Sequence, residues 1–232
     1  TELLLDAGAT VWAMDLKEEA MEAIAQSRPD SANRFHPLVI DATNPEVVES
    51  FLNEQEANGV KIHAWINGSY PRTSDWGDKF EDVKAESLEK NVSMQMNSVF
   101  MVCQKVAETM KRQEVKGSIV NFGSTYGMVA PNFPMYEGTT PQTSPAAYSM
   151  IKGGTLHFTR YLAAYYGPSG IRVNSISPGG IYDGHADLFH ERYQDRTPLG
   201  RMGNPEEIAG PVVFLCSPAA SYVTGHNLVA DG

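Results

Sequence analysis

The sequence predicts an α/β fold, a doubly wound parallel sheet of the Rossmann-like kind, from three observations. Short β-branched apolar runs alternate with amphipathic segments from end to end. A chain of 232 residues with 42% hydrophobic content can bury one good-sized core. No internal repeat, low-complexity tract or long linker divides it, so residues 1–232 are expected to form one domain. Strand and helix in alternation imply right-handed βαβ crossovers, with ligands gathered at the carboxyl ends of the strands.

In chain order, Thr1–Ala7 reads as the tail of a helix and Thr10–Met14 as the first buried strand, followed by a helix at Ala20–Gln26. Phe35–Ile40 is a strand, Pro45–Ala57 a helix, Ile62–Ile66 a strand and Leu88–Met110 a long helix. Ser118–Phe122 is a strand, and Met128–Pro145, rich in Pro, Thr and Gly, is a long loop. Ala146–Tyr166 is a helix and Ile171–Ser175 a strand. The helix Pro205–Cys216 opens with Asn204 as N-cap, Pro205 at the first position and Glu207 at the third.

Composition narrows the function. A net charge of -10 disfavours nucleic acid, because phosphate contacts need gathered Lys and Arg. Two cysteines, Cys103 and Cys216, lie in apolar helical segments, which suits a reducing compartment and a cytoplasmic protein. No apolar run approaches the roughly 20 residues of a membrane span, and Thr1–Ala7 lacks the pattern of a secretory signal. The six histidines are scattered without ligand spacing, so no metal is expected.

The chemistry centres on Tyr148-Ser-Met-Ile-Lys152. A spacing of four sets phenol and ammonium on one helix face. A free tyrosine titrates near pH ~10, and a neighbouring ammonium and a nicotinamide cation would both favour its phenolate. Ser124 follows the strand Ser118–Phe122, where a doubly wound sheet presents its site, and its hydroxyl can hold a substrate oxygen.

With Ile119-Val-Asn-Phe-Gly-Ser124, Tyr148 to Lys152, and Arg172-Val-Asn-Ser-Ile-Ser-Pro-Gly179, the chain resembles the short-chain dehydrogenase/reductase family over nearly its whole length. Asp41-Ala42, Asn67, Gly203-Asn-Pro-Glu-Glu-Ile-Ala209 and Val223-Thr-Gly-His-Asn-Leu228 follow in the family's order. The resemblance implies hydride transfer to or from a nicotinamide cofactor. Ser124 would orient the reacting oxygen, Tyr148 serve as acid or base, and Lys152 lower the tyrosine pKa and bind the ribose. It also implies that Asp41 meets the adenine, that Ala42 and Asn67 line the same cleft, and that Pro178, Gly179 and the Ile181 backbone lie under the nicotinamide. Asp15, closing the first strand, can accept both adenine-ribose hydroxyls and would repel a 2'-phosphate, so NAD is favoured over NADP. Members usually pair the long helices, here Leu88–Met110 and Ala146–Tyr166, into homodimers or homotetramers.

The pattern breaks in four places. No Gly-x-Gly-x-x-Gly precedes Asp15, so the first strand and its phosphate turn are expected to lie outside residues 1–232, leaving two strand edges unpaired and the chain by itself poorly stable and weak for NAD. The chain ends at Asp231-Gly232, so a final strand is expected beyond it. Gln95 stands where the family places the Asn that links Lys152 to solvent, which puts the relay in question while keeping Gln95 a candidate catalytic residue. Asp183 stands where many members carry a Thr.

The insertion holding Pro131, Tyr136, Glu137 and Pro145 should overhang the reacting centre. With Tyr70-Pro71-Arg72, Tyr182, Asp183, His185, His190, Glu191 and Arg192 it suggests a polar small-molecule substrate. The Tyr70-Pro-Arg, Trp76 to Asp82 and Met135 to Gly138 stretches resemble the branch found with flagellin modification and nonulosonic-acid biosynthesis, which implies a sugar-like substrate. Two alternatives stand beside this: a sugar-nucleotide epimerase or dehydratase, and a catalytically impaired cofactor-binding or scaffold protein.

Overall fold

The computed structural model describes residues 1–141, 143–184 and 186–232, so His185 lies outside the described residues. Helix α1 (Glu2–Asp6) leads into β1 (Val11–Asp15), α2 (Glu18–Ser27) and β2 (Phe35–Val39). Helix α3 (Pro45–Ala57), β3 (Ala64–Asn67) and α4 (Ala85–Val92) follow, and α5 (Ser98–Arg112) leads to β4 (Ser118–Phe122). The chain closes with α6 (Ala146–Tyr166), β5 (Arg172–Pro178), α7 (Asp187–Gln194), α8 (Pro205–Cys216) and β6 (Asn227–Ala230).

All strand pairs are parallel, but they form two sheets: β1 with β2, and β3-β4-β5-β6 in that order. Among the described residues β1 pairs only with β2 and β3 only with β4, so the facing edges of β1 and β3 are both unpaired, as the sequence leads one to expect. Side chains hold the halves together. Trp12, Met14 and Leu38 of the small sheet pack against the same core as Val102, Val106 and Met110 of α5, Ile119 of β4 and Leu162 of α6. On the other face, Val120 and Ile176 meet Ile208, Val212 and Leu215 of α8. Ile119 and Val120, adjacent and both fully buried, point into opposite layers, the mark of a strand covered on both sides.

Three expectations change. The chain carries a strand that the sequence reading did not place: Asn227–Ala230 pairs with Ser175–Pro178, and its Asn227 ties in by accepting from Ser175 and Ser177. The long helix Leu88–Met110 is instead α4 and α5 joined by a π-helical turn at Ser93–Asn97. Such a turn holds one extra residue, which shifts the phase of the helix face, and here Gln95 turns inward to 5% exposure. The loop Met128–Pro145 contains a 3-10 turn at Phe133–Tyr136 whose Met135 and Tyr136 are buried.

Candidate active site

The carboxyl end of β4 and the first turns of α6 meet at one point. Ser124, 6% exposed, sits in extended backbone just past β4, and its Oγ accepts the Tyr126 N–H at 3.2 Å, starting a 3-10 turn. That turn can lie on α6 because residue 127 is glycine: a Cβ there would come within 2.8 Å of the Lys152 backbone. Tyr148 and Lys152 project from α6 on the same face, with Lys152 Nζ 5.6 Å from the Tyr148 ring centroid. The Ser124 hydroxyl lies close enough to the Tyr148 phenol to lower its proton affinity. Serine, phenol and ammonium therefore form one cluster.

Burial dominates the proton affinities. It pushes the Tyr148 phenol above its ordinary value, with Ser124 pulling back against it. It brings the Lys152 ammonium down to about 8. Burial outweighs the nearby ammonium, which spends a donor on the Phe122 carbonyl at 2.8 Å, whereas the lowered tyrosine expected from the sequence counts on a bound nicotinamide cation as well. That bond engages one of three N–H groups, and no second acceptor for them occurs among the described residues.

A second aromatic layer closes one side. Tyr70 packs edge-on against Tyr148 at 5.6 Å between centroids, and Trp76 does so at 6.3 Å. Gln95 does not reach toward Lys152. Its Nε2 donates to the Pro71 carbonyl at 2.8 Å, and its buried Oε1 has no partner among the described residues.

The candidate cofactor residues divide. Asp15 and Asp41 both lie at the carboxyl end of the small sheet, exposed, each turned into its own loop: Asp15 accepts the Lys17 N–H, and Asp41 accepts Thr43 N–H and O–H. Ala42 is half-buried beside Asp41. Asn67 instead faces inward: it donates to Asn121 at 2.7 Å and to the Cys103 sulfur at 3.2 Å, and accepts from the Trp65 indole at 2.7 Å. Pro178 ends β5, and Gly179 follows under Tyr193, where a Cβ would meet the Tyr193 hydroxyl at 2.7 Å. Ile181 forms a parallel bridge with Gly203 that uses the Tyr182 N–H and the Gly180 carbonyl. The N–H and C=O of Ile181 itself have no partner among the described residues and are free for a ligand. With the spare Lys152 donors, the two exposed carboxylates and the Ile181 backbone, the residues fit a dinucleotide lying across the carboxyl ends of the strands.

Above the cluster, the insertion is tied to α7. Arg192 donates to the carbonyls of Pro134, Met135 and Glu137, and Tyr136 stacks obliquely on Phe189 at 5.2 Å. Tyr136 also bonds the Tyr126 hydroxyl at 3.2 Å and lies within electrostatic reach of Tyr148. Arg192 is thus a brace, while Tyr182 pairs with His190 at 5.3 Å. Sequence reasoning missed Tyr126, Tyr193 and Trp76 as parts of this layer. No spacing rule reaches them, because a loop, a 3-10 turn and α7 bring them in from three places along the chain.

A parallel α/β sheet with a Ser-Tyr-Lys cluster at its carboxyl edge defines a dehydrogenase class of fold and site. A family model described as enoyl-(acyl carrier protein) reductase matches residues 1–232. Post-translational flagellin modification protein A of Campylobacter coli is 33% identical over 195 residues, 84% of this chain and 75% of the relative. L-rhamnose 1-dehydrogenase (NAD(P)(+)) of a Sphingomonas species is 35% identical over 200 residues, 83% of this chain and 72% of the relative. A short-chain dehydrogenase of Leptospira borgpetersenii, solved with bound NAD+, superposes with a TM-score of 0.84 at 36% identity, covering all of this chain and 85% of that one. The chain belongs to the short-chain dehydrogenase/reductase family and is a nicotinamide-dependent oxidoreductase. Among the described residues no helix is long and apolar enough to cross a membrane, and no group of His, Cys, Asp and Glu could hold a metal.

Proposed function

We propose that the protein transfers a hydride between NAD(H) and a hydroxyl or carbonyl carbon of a polar, sugar-like small molecule. The observation that carries this is the cluster of Ser124, Tyr148 and Lys152, with Ser124 beside the phenol and Lys152 Nζ 5.6 Å from its ring centroid. NAD+, when bound, supplies the hydride acceptor. In the oxidising direction Ser124 holds the substrate oxygen and Tyr148 takes its proton as the hydride leaves the carbinol carbon. The Lys152 ammonium steadies the phenolate and offers its spare N–H groups to the ribose.

Asp15 supports NAD over NADP, since its exposed carboxylate suits two ribose hydroxyls and repels a phosphate. The sugar-like class is supported by the relatives named for flagellin modification and rhamnose oxidation. Free Cys103 and Cys216 support the cytoplasm. An exposed aromatic row on α5 and α6 supports a homo-oligomer: Phe100 stacks on Phe158 at 4.8 Å, Phe158 on Tyr161 at 6.4 Å and Tyr161 on Tyr165 at 6.1 Å.

The test is NADH formation with a panel of sugars and sugar alcohols, wild type against Tyr148→Phe. Turnover lost at least a thousandfold in the variant, with NAD affinity kept within about twofold, is the expected result. Equal turnover by both proteins overturns the role of Tyr148, and turnover with NADP alone overturns the cofactor choice.

A further inference from the structure

Tyr70 stands beside the reacting centre, edge-on to Tyr148, with a hydroxyl that accepts a hydrogen bond but gives none. The Trp76 indole, which can only donate, gives its N–H to Tyr70 Oη at 2.7 Å. Arg72 lies 5.5 Å from the ring centroid and Lys152 5.7 Å, and both are cations without a lone pair to offer. Among the described residues no acceptor takes the Tyr70 O–H. The phenol is 41% exposed, at the mouth of the cluster, so its acceptor has to arrive from outside.

The segment that carries it is stapled in place. Gln95 holds the Pro71 carbonyl. Buried Asn91 accepts the Thr73 N–H at 3.1 Å and donates to the Thr73 hydroxyl at 2.8 Å, and Ser87 donates to Asp75. Trp76 then locks the ring by an edge contact at 6.0 Å as well as by its N–H. A side chain fixed from α4, from the π-helical turn and from its own loop is preorganised, and preorganised donors discriminate between ligands at low entropic cost.

We propose that Tyr70 is a specificity-determining residue that donates to a second substrate oxygen, on the carbon next to the reacting one, so that the site selects vicinal diols over simple alcohols. This rests on the dehydrogenase reading above. Burial drives the Tyr70 phenol up to about 12, so it keeps its proton throughout the working pH range and serves as a donor rather than a second base. Tyr148 and Tyr70, packed edge to face, then divide two adjacent oxygens: the first loses its proton to Tyr148, and the second accepts from Tyr70.

The test compares cis-1,2-cyclopentanediol with cyclopentanol, NAD+ saturating, and reads the ratio of the two kcat/KM values. Wild type should prefer the diol, and Tyr70→Phe, which deletes one oxygen and keeps the ring packing, should reduce that preference roughly tenfold, mainly through KM for the diol. Trp76→Phe, which keeps a ring but frees the Tyr70 hydroxyl to turn, should reduce it roughly threefold. An unchanged ratio in Tyr70→Phe overturns the proposal, even if both substrates slow equally, since that pattern means Tyr70 only supports Tyr148. Oxidation of neither compound by wild type counts instead against the dehydrogenase reading itself.

Discussion

Lys152 is a charge placed where it is uncomfortable. Desolvation lowers its pKa from the ordinary 10.5 to about 8, so at neutral pH the folded state bears an ammonium that water would solvate better. Between pH 8 and 10.5 the unfolded chain binds more protons than the native one, so stability rises with pH across that window and is lost as pH falls through about 8. Lys152→Met removes the charge and forfeits its bond to the Phe122 carbonyl. It should abolish turnover yet stabilise the protein by on the order of 1 kcal/mol at pH 7, an advantage that shrinks toward pH 10. Urea unfolding of both proteins at the two pH values checks this, and a variant less stable at pH 7 contradicts it. Ser124, Tyr148 and Lys152 were legible in the sequence because a strand end and a four-residue helical step are short-range facts. The inward turn of Asn67 was not, since its partners Cys103 and Asn121 sit 36 and 54 residues away and only the packed β3, β4 and α5 bring them together.

Helices with a start signal written beside them were read to the residue. Pro45–Ala57 begins at the Asn44 cap, which accepts from Glu46 and Val47, and Pro205–Cys216 begins at a full capping box. The α4–α5 break carried no such signal. A π-helical turn changes the hydrogen-bond step without Gly or Pro, so Leu88–Met110 reads as one periodic helix although Gln95 lies at the irregularity. Helix α7 was equally hidden, because its eight residues bury no side chain and it is held chiefly by Arg192 and Phe189 against the insertion. That dependence gives a prediction about the wall over the site. Arg192→Ala should free the 133–136 turn and raise KM for the substrate roughly tenfold while changing the melting temperature by no more than about 2 °C. Arg192→Lys should have a smaller effect of the same sign, since all three bonds leave one nitrogen, Nη1, and an ammonium with three donors can copy part of that set. Limited proteolysis within the insertion should accelerate in both. A variant with unaltered KM and an unaltered cleavage rate would show that α7 does not hold the wall.

At the scale of the molecule, a parallel architecture was predictable from alternation alone, whereas the division into two sheets was not, since the sequence led only to two unpaired strand edges. The halves are joined by side chains rather than by a hydrogen-bond ladder, which makes the helical layer over them the main source of rigidity at the site. Helix α6 is the critical member. Its first turns carry Tyr148 and Lys152, its buried side packs Leu162 and Tyr166 into the core, and its outer side presents Tyr161 and Tyr165, 59% and 61% exposed. Residues 158, 161 and 165 fall on one stripe by their spacing of three and four, and Phe100 of α5 extends it. Phe100, Tyr161 and Tyr165 are exposed around the half-buried Phe158, an apolar row of the kind that suits contact with another copy. A two-fold axis through the row would set each Tyr161 near its own copy, so Tyr161→Glu would bring two carboxylates together in an apolar contact. The expected outcome is wild type sedimenting as a dimer or tetramer and Tyr161→Glu shifting toward monomer. Because the same helix positions the proton-transfer pair, specific activity of the variant should then fall on dilution where wild type holds constant. A variant that keeps the wild-type sedimentation coefficient at low micromolar concentration would remove this face from the interface and leave α6 anchored only by the contacts it makes within one chain.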